Sequence, residues 1–396
     1  MELKYIERSI TKQIIEASKY FPVIVITGPR QSGKTTLISH IFRDFPLFSL
    51  ENLDIRQLAT EDPKFFLSQS TKGMIIDEAQ NVPGLFSYIQ GIVDNDPSRK
   101  FILSGSSNFA LLKSVTQSLA GRAAIFNLLP FSLDELSGRI YGRSVDELLY
   151  NGFYPRIFSD NVPSHLLYSN YIETYLKKDV RDLLKVKDLM QFNTFLKLCA
   201  GRIGSIFNAT QLSTEVGVSL STIKSWLSIL EASYIVTLLP PYFNNTKKRL
   251  IKSPKLYFCD TGLACRLLDI NSPEELSFNK MRGPIFENAV VLETIKYYLN
   301  NGKDVSNLFF YRDSNQNEID LIISHGTSEF SGVEIKSAAT FNTSFYKALT
   351  KMEQFLNAGV RSRTVVYNGD FENTNSDIQI INFKNYNSWI KSIFQQ

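Results

Sequence analysis

Gly28-Pro29-Arg30-Gln31-Ser32-Gly33-Lys34-Thr35-Thr36 is the stretch that decides the fold. Its first eight residues satisfy every fixed position of G-x-x-x-x-G-K-[ST]. It also stands in the setting that gives the pattern meaning. The continuous apolar run Val23-Ile24-Val25-Ile26 precedes it and reads as a strand buried on both faces. A helical pattern from Lys34 to Phe42 follows. Gly28 and Gly33 let the backbone curl until its N–H groups point inward, and the helix behind the loop adds the positive end of its dipole. Such a loop cradles phosphate, with Lys34 reaching the β- and γ-phosphates and the Thr35 hydroxyl directed at Mg²⁺. ATP and Mg²⁺ are the implied cofactors, and Gly28, Pro29, Arg30, Gln31, Ser32, Gly33, Lys34, Thr35 and Thr36 form the expected nucleotide contact.

Further strands lie downstream at Phe48–Leu50, Met74–Asp77, Lys100–Ser104 and Ala124–Leu128, with helical patterns between the first four of the five strands. That alternation predicts a parallel α/β sheet. Met74-Ile75-Ile76-Asp77-Glu78 ends a buried strand in two carboxylates, about 40 residues past the loop. Asp77 is expected to hold Mg²⁺ and Glu78 to polarise an attacking water. Ser104 is the first choice for a residue sensing the γ-phosphate and Ser106 the second, although small polar residues after a strand are also ordinary turn chemistry. Arg122, in Gly121-Arg122, is a candidate for a guanidinium on the γ-phosphate, in cis or across a subunit interface of a homo-oligomer. An ion pair with a carboxylate explains it equally well. Arg181 is a weaker rival on what reads as a solvated face.

The 396 residues, 43% hydrophobic and 12% aromatic, are enough for two or three packed domains and argue against disorder. Three scattered cysteines (Cys199, Cys259, Cys265) fit neither a zinc site nor a disulfide framework, which favours a reducing cytoplasmic location. The three histidines give no metal spacing. No apolar run approaches membrane length and no signal peptide is visible, so no membrane partner is expected.

The phosphate loop and the Asp77-Glu78 strand resemble those of AAA-type ATPases. More narrowly, the whole chain is similar to a widespread prokaryotic family that joins such an ATPase to a C-terminal domain of unknown function. Leu119-Ala120-Gly121-Arg122, Leu129-Pro130-Phe131-Ser132, Gly152-Phe153-Tyr154-Pro155 and Tyr171-Ile172-Glu173-Thr174-Tyr175-Leu176 carry that likeness. It implies an AAA-type P-loop core over residues 1–131.

After the core, helical patterns predict a lid over 132–200. Gln211–Val216, Gly217 and Ser221–Ala232, followed by strands at Tyr234–Leu239 and Lys255–Phe258, predict a winged helix-turn-helix over 201–270. Seven Lys/Arg against three Asp/Glu between Gly201 and Cys265 match the net +4 of the whole chain. Lys247-Lys248-Arg249, Lys252 and Lys255 lie in the expected wing. A local basic excess of this kind fits DNA-backbone contact through 247–255, or a docking domain whose wing stays soluble. Asn271–Arg282 reads as a linker.

Residues 271–396 form a second α/β pattern, with strands Leu308–Arg312, Ile319–Ile323, Gly332–Ile335 and Arg363–Tyr367 and a helix at Phe345–Phe355. Glu318/Asp320 and Glu334/Lys336 are i, i+2 pairs on strands, so each pair shares a face. Paired as a hairpin, these strands would bring Asp320 and Glu334 onto one divalent metal, Mg²⁺ or Mn²⁺, with Lys336 beside them and Glu287 from the preceding helix completing the set. The arrangement resembles the restriction-endonuclease-like fold, in an active form or as an inactive remnant. Three functions stand side by side. One is a Mg²⁺-dependent ATPase driving a nuclease-like, DNA-binding module, another is a slowly hydrolysing nucleotide-gated switch, and the third is a motor-like oligomer in which Arg122 reaches a neighbour's nucleotide.

Overall fold

A computed structural model describes residues 5–106, 108–176, 189–242, 253–313, 315–326 and 328–395. The five expected strands of the first domain form one parallel sheet. They are β1 (Val23–Thr27), β2 (Leu47–Ser49), β3 (Gly73–Asp77), β4 (Lys100–Gly105) and β5 (Ala123–Asn127), in the order β2-β3-β4-β1-β5. Every residue of β1 is buried. Strand alternation divides its side chains between two cores. Ile24 and Ile26 pack with Ile10, Ile14, Leu37 and Ile38 on one face, while Val23 and Val25 pack with Leu85, Phe86 and Ile89 on the other. Helices Thr11–Tyr20 and Lys34–Ile41 cover the first face, and helix Leu85–Asn95 lies on the second.

Behind the sheet the chain is helical through Val145–Asn151, Pro155–Ser159, Ser164–Tyr171 and Leu189–Ala200. Helices Ala209–Val216 and Leu220–Ala232 then meet across a short turn in which Gly217 takes the left-handed conformation (φ 76°) that closes the first helix. Strands β6 (Val236–Leu239) and β7 (Lys255–Phe258) pair antiparallel after them. The stripe expected from sequence, Ile223, Trp226, Leu227 and Leu230, is buried, with Trp226 edge-on to Phe192 and tilted against Phe195. Residues 247–249 and 252 of the expected wing, and Arg181 on the lid, lie outside the described residues.

The last domain is a second five-stranded sheet, β12-β11-β10-β9-β8, made of β8 (Leu308–Arg312), β9 (Glu318–Ser324), β10 (Glu329–Lys336), β11 (Gly359–Tyr367) and β12 (Ile378–Asn382). β8, β9 and β10 run antiparallel to their neighbours, and β10, β11 and β12 run parallel. Helix Arg282–Asn300 is buried along most of its length, including Glu293 and Lys296. Those two polar side chains are satisfied by the segment leaving the first sheet. The Glu293 carboxylate accepts from Leu133 N at 2.8 Å, and Lys296 Nζ donates to Phe131 O at 2.7 Å and to Glu293 at 2.9 Å. One continuous apolar core runs from Leu129 and Phe131 through the helical segment to Trp389 and Ile393, so these parts are packed together rather than strung on tethers.

Three expectations change. Asn271–Arg282 is not a free linker, because helix Pro273–Phe278 buries Leu276 and Arg282 forms a bidentate pair with Asp146. Phe345–Phe355 is not one helix. It breaks into two 3₁₀ turns and the short helix Met352–Leu356, which lay Leu349 and Met352 onto Gly332, where an added Cβ would collide with Met352 Sδ. Packing on the sheet overrides helical periodicity there. β12 and helix Tyr386–Gln395 were not anticipated, since the run Ile378–Asn382 is short and sits among Asn and Asp. No helix of the described residues is long and apolar enough to cross a membrane.

Truncating Trp226 removes an aromatic buried between two phenylalanines. Trp226→Ala is expected to destabilise the protein by about 3–5 kcal/mol and Trp226→Phe by clearly less, read as thermal unfolding midpoints. Equal midpoints for the wild type and the alanine variant would remove this contact from the core.

Candidate functional site

β1 ends at Thr27, and the chain turns at once through Gly28 (φ 150°), Gln31 (φ 62°) and Gly33 (φ 90°). A Cβ on Gly28 would run into Leu128 O. Gly33 caps helix Lys34–Ile41 in the left-handed conformation, which aims the loop at the helix N-terminus. Lys34 is buried and its ammonium donates to the loop's own carbonyls, Gly28 O at 3.0 Å and Pro29 O at 2.9 Å. Burial pulls its pKa down to about 8, against the opposing charges of Glu78 and Asp77.

Thr35 Oγ1 donates to Asp77 Oδ2 at 3.1 Å, and Ser104 Oγ donates to Asp77 Oδ1. Asp77 therefore binds both the loop hydroxyl and the β4 hydroxyl, and this pair of hard oxygens, Thr35 and Asp77, suits Mg²⁺. Glu78 leaves the strand in a left-handed conformation (φ 51°). Its Oε2 accepts from Gln80 Nε2, from Ser106 N at 3.3 Å and from Ser106 Oγ at 3.1 Å. The two candidate sensor serines thus divide, Ser104 onto Asp77 and Ser106 onto Glu78.

Lys34, Thr35, Thr36, Arg30, Gln31, Asp77 and Glu78 line a cavity of about 530 Å³, a size suited to a small-molecule ligand. Its other wall comes from distant sequence: Tyr5, Ile6 and Arg8 before the sheet, and Phe131, Pro155, Arg156, Ser159 and Asp160 after it.

Two residues at this site escaped the sequence reading. Arg8 is 4% exposed. It donates to Ser32 O at 2.9 Å, to Leu129 O at 2.6 Å and to Glu135 Oε1 at 3.0 Å, and so ties the phosphate loop to the segment after β5. Tyr234, at the end of helix Leu220–Ala232, hydrogen-bonds Thr27 Oγ1 at 2.6 Å and Asn127 Oδ1 at 2.7 Å, next to the residue where the loop begins. No motif marks either one, because their partners lie far away in sequence.

Arg122 does not join this site. It precedes β5 at the end of the sheet away from Gly28, with its carbonyl accepting from Val23 N. Five residues of β1 separate the two ends, roughly 16 Å at strand rise. Its guanidinium forms a bidentate pair with Asp94, which is the ion-pair alternative.

The C-terminal residues do converge. Asp320 Oδ2 accepts from Ile335 N at 2.8 Å and lies 3.4 Å from Lys336 Nζ, which donates to Glu334 Oε2 at 2.8 Å. Glu287 approaches from helix Arg282–Asn300. Burial and the neighbouring Asp320 carboxylate push Glu334 up to about 9 and raise Glu287. Burial would raise Asp320 as well, but Lys336 and Lys255 overcome it and hold the group down. A metal centre here is not shown. Among the described residues no group of three or more His, Cys, Asp or Glu is placed to hold a metal ion. Lys255 lies among these carboxylates. Assigned by sequence to a DNA-facing wing, it is instead buried with its ammonium 2.9 Å from Glu287 Oε1 and 2.6 Å from Glu318 Oε1.

Comparison with known proteins places these parts. Residues 20–137 match the family model described as an AAA domain, and residues 142–274 and 282–386 match two domains of unknown function, DUF8612 and DUF4143. The uncharacterized protein Rv2008c of Mycobacterium tuberculosis is 32% identical over 326 residues, covering 81% of this chain and 71% of that protein. The chain belongs to the family of that protein. The uncharacterized protein MJ1544 of Methanocaldococcus jannaschii is 25% identical over 355 residues, covering 81% of this chain and 75% of that one. Among solved structures, the Walker-type ATPase PABY2304 of Pyrococcus abyssi aligns with 67% of this chain and 97% of its own at 13% identity and a TM-score of 0.46. Thermotoga maritima RuvB aligns with 58% and 87% at 16% identity and 0.31.

The phosphate loop, Asp77 and Glu78 thus sit in an AAA-type P-loop domain. Pro155, Arg156 and Tyr234, which wall the cavity or touch its base, come from the region matched at 142–274.

Lys34 sets a pH signature. With a pKa of about 8 in the nucleotide-free protein, it is mostly neutral at pH 8.5 and charged at pH 6.5. Phosphate oxygens favour the charged form, so ATP binding at pH 8.5 should take up more proton than binding at pH 6.5. Calorimetry in buffers of different ionisation enthalpy measures this. Uptake that is the same in Lys34→Met would rule the lysine out as its source.

Proposed function

We propose that the chain is a Mg²⁺-dependent ATPase whose nucleotide state sets how residues 142–274 sit against the AAA core. One observation carries this reading: the cavity beside the phosphate loop is walled by both regions, so a bound nucleotide touches them together. The loop N–H groups and Lys34 would hold the β- and γ-phosphates, with Tyr5, Ile6 and Pro155 offering apolar surface to the base. Thr35 and Asp77 would hold Mg²⁺, and the chemistry it supplies there when bound is neutralisation of charge across the two phosphates. Glu78 is the group that orients and deprotonates water. In this structure Gln80 and Ser106 hold its Oε2 in place. Tyr234, bonded to Thr27, gives the loop a direct contact to the helix at the end of which it stands.

Glu78→Gln is expected to retain ATP binding and to lose at least about 100-fold in steady-state turnover. Equal phosphate release from wild type and variant would leave a nucleotide-gated switch without hydrolysis. A specific activity independent of protein concentration would accord with Arg122 pairing within its own chain; a steep rise would restore the inter-subunit reading and a homo-oligomer.

A DNA-contacting role for the winged-helix arrangement is a second reading, favoured by one observation. Ser221, Lys224, Ser225 and Ser228 form an exposed face of helix Leu220–Ala232, where a groove-entering surface is expected. Lys247, Lys248 and Arg249 would supply phosphate contacts. Replacing all three with Ala should weaken DNA binding for every sequence and reduce the slope of log affinity against log salt by roughly 2–3. Unchanged affinity and slope would remove this contact.

A further inference from the structure

Lys255 enters the acidic cluster from outside the C-terminal domain. It is the first residue of β7, and its side chain is 2% exposed. Besides Glu287 and Glu318, its ammonium lies 3.9 Å from Asp320 Oδ1 and 5.4 Å from the centre of the Phe310 ring. Glu287 comes from helix Arg282–Asn300, Glu318 and Asp320 from β9, and Phe310 from β8. One cation thus ties three elements of the last domain to a strand of the preceding one.

The rest of β7 is fastened to the same helix. Tyr257 Oη donates to Glu287 Oε1 at 2.6 Å. Asn288 accepts from Phe258 N at 2.7 Å and donates to Phe258 O at 2.9 Å, so its side-chain amide pairs with the strand as a neighbouring strand would. β7 is held by side chains chosen for it, and Lys255 is aimed at the carboxylates by that docking.

One oxygen of each of the three carboxylates is already in use. Glu287 Oε1 takes both Lys255 and Tyr257, Asp320 Oδ2 takes Ile335 N and Lys336, and Glu334 Oε2 takes Lys336. A divalent ion between Glu287 and Asp320 would stand against the ammonium of Lys255, in a buried region where like charges repel strongly. A lysine can remain charged at such depth only with carboxylate partners, so these partners are also what makes its burial tolerable.

We infer that Lys255 is the resident cation of this cluster, and that docking of β7 and binding of a divalent metal by Glu287, Asp320 and Glu334 exclude one another. The preceding domain thereby blocks a metal-dependent centre in the last domain through one side chain. This inference does not depend on ATP hydrolysis.

Mn²⁺ binding to the full chain without nucleotide, followed by electron paramagnetic resonance, tests it. Wild type and Asp320→Asn should bind the same number of Mn²⁺ equivalents at about 1 mM metal, because the cluster is closed in both. Lys255→Met should gain one equivalent, which the Lys255→Met/Asp320→Asn pair should lose again. Lys255→Arg keeps a cation in place and should gain none. Loss of an equivalent in Asp320→Asn alone would show that the wild-type cluster already holds metal and would overturn the inference. So would a folded Lys255→Met protein that gains nothing. Should Lys255→Met fail to fold, Lys255→Gln takes its place, with the same gained equivalent expected and a folded protein that gains none overturning the inference.

Discussion

β1 is buried on both faces, and the nucleotide site hangs from its last residue. A strand without a solvent face cannot shift register without moving Ile24 and Ile26 out of one core and Val23 and Val25 out of the other. That fixes Thr27, and with it the point where the chain must turn at Gly28. The loop itself has few apolar anchors. Arg8 supplies what is missing by pinning Ser32 O and Leu129 O, and Glu135 satisfies the remaining side of the guanidinium. The loop is therefore held by contacts within the chain, and such bracing reduces the ordering cost of binding.

What could be read from sequence was local. The phosphate loop, the Asp77-Glu78 strand and all five strands of the first sheet follow from short patterns in which each residue's neighbours along the chain determine its surroundings. Arg8, Tyr234 and Lys255 were out of reach for the opposite reason. Tyr234 meets Thr27 across 207 positions, and Arg8 meets Glu135 across 127. Lys255 shows why a charge count misleads. A basic excess registers lysines without distinguishing a solvated one from one buried among carboxylates, and the two imply opposite functions. Arg122 shows the same ambiguity, since only its position at the far end of β5 separates an ion pair with Asp94 from a phosphate contact. Glu287, Asp320 and Glu334 were brought together as the strand pattern implied, yet the element that fills their midst belongs to another domain.

The two sites are joined by a single rigid element. Helix Arg282–Asn300 carries Glu287 and Asn288 on β7 and, roughly 9 Å further along its axis, Glu293 and Lys296 on the Phe131–Leu133 segment. Phe131 also lines the nucleotide cavity. A change at Phe131 that altered the Lys296 contact would strain a buried ion pair, and buried pairs tolerate the loss of a partner poorly. Relief by tilting the helix would move Glu287 relative to Lys255 at its other end. Coupling of this kind needs an element with two arrangements that both sites bias. The helix meets the structural half of that requirement, because it is bonded by buried polar groups at both ends and packed between them. The Tyr234–Thr27 contact gives the same region a second attachment at the root of the phosphate loop. The phosphate-loop side and the Lys255 cluster thus share one packed helix, held at each place by buried hydrogen bonds.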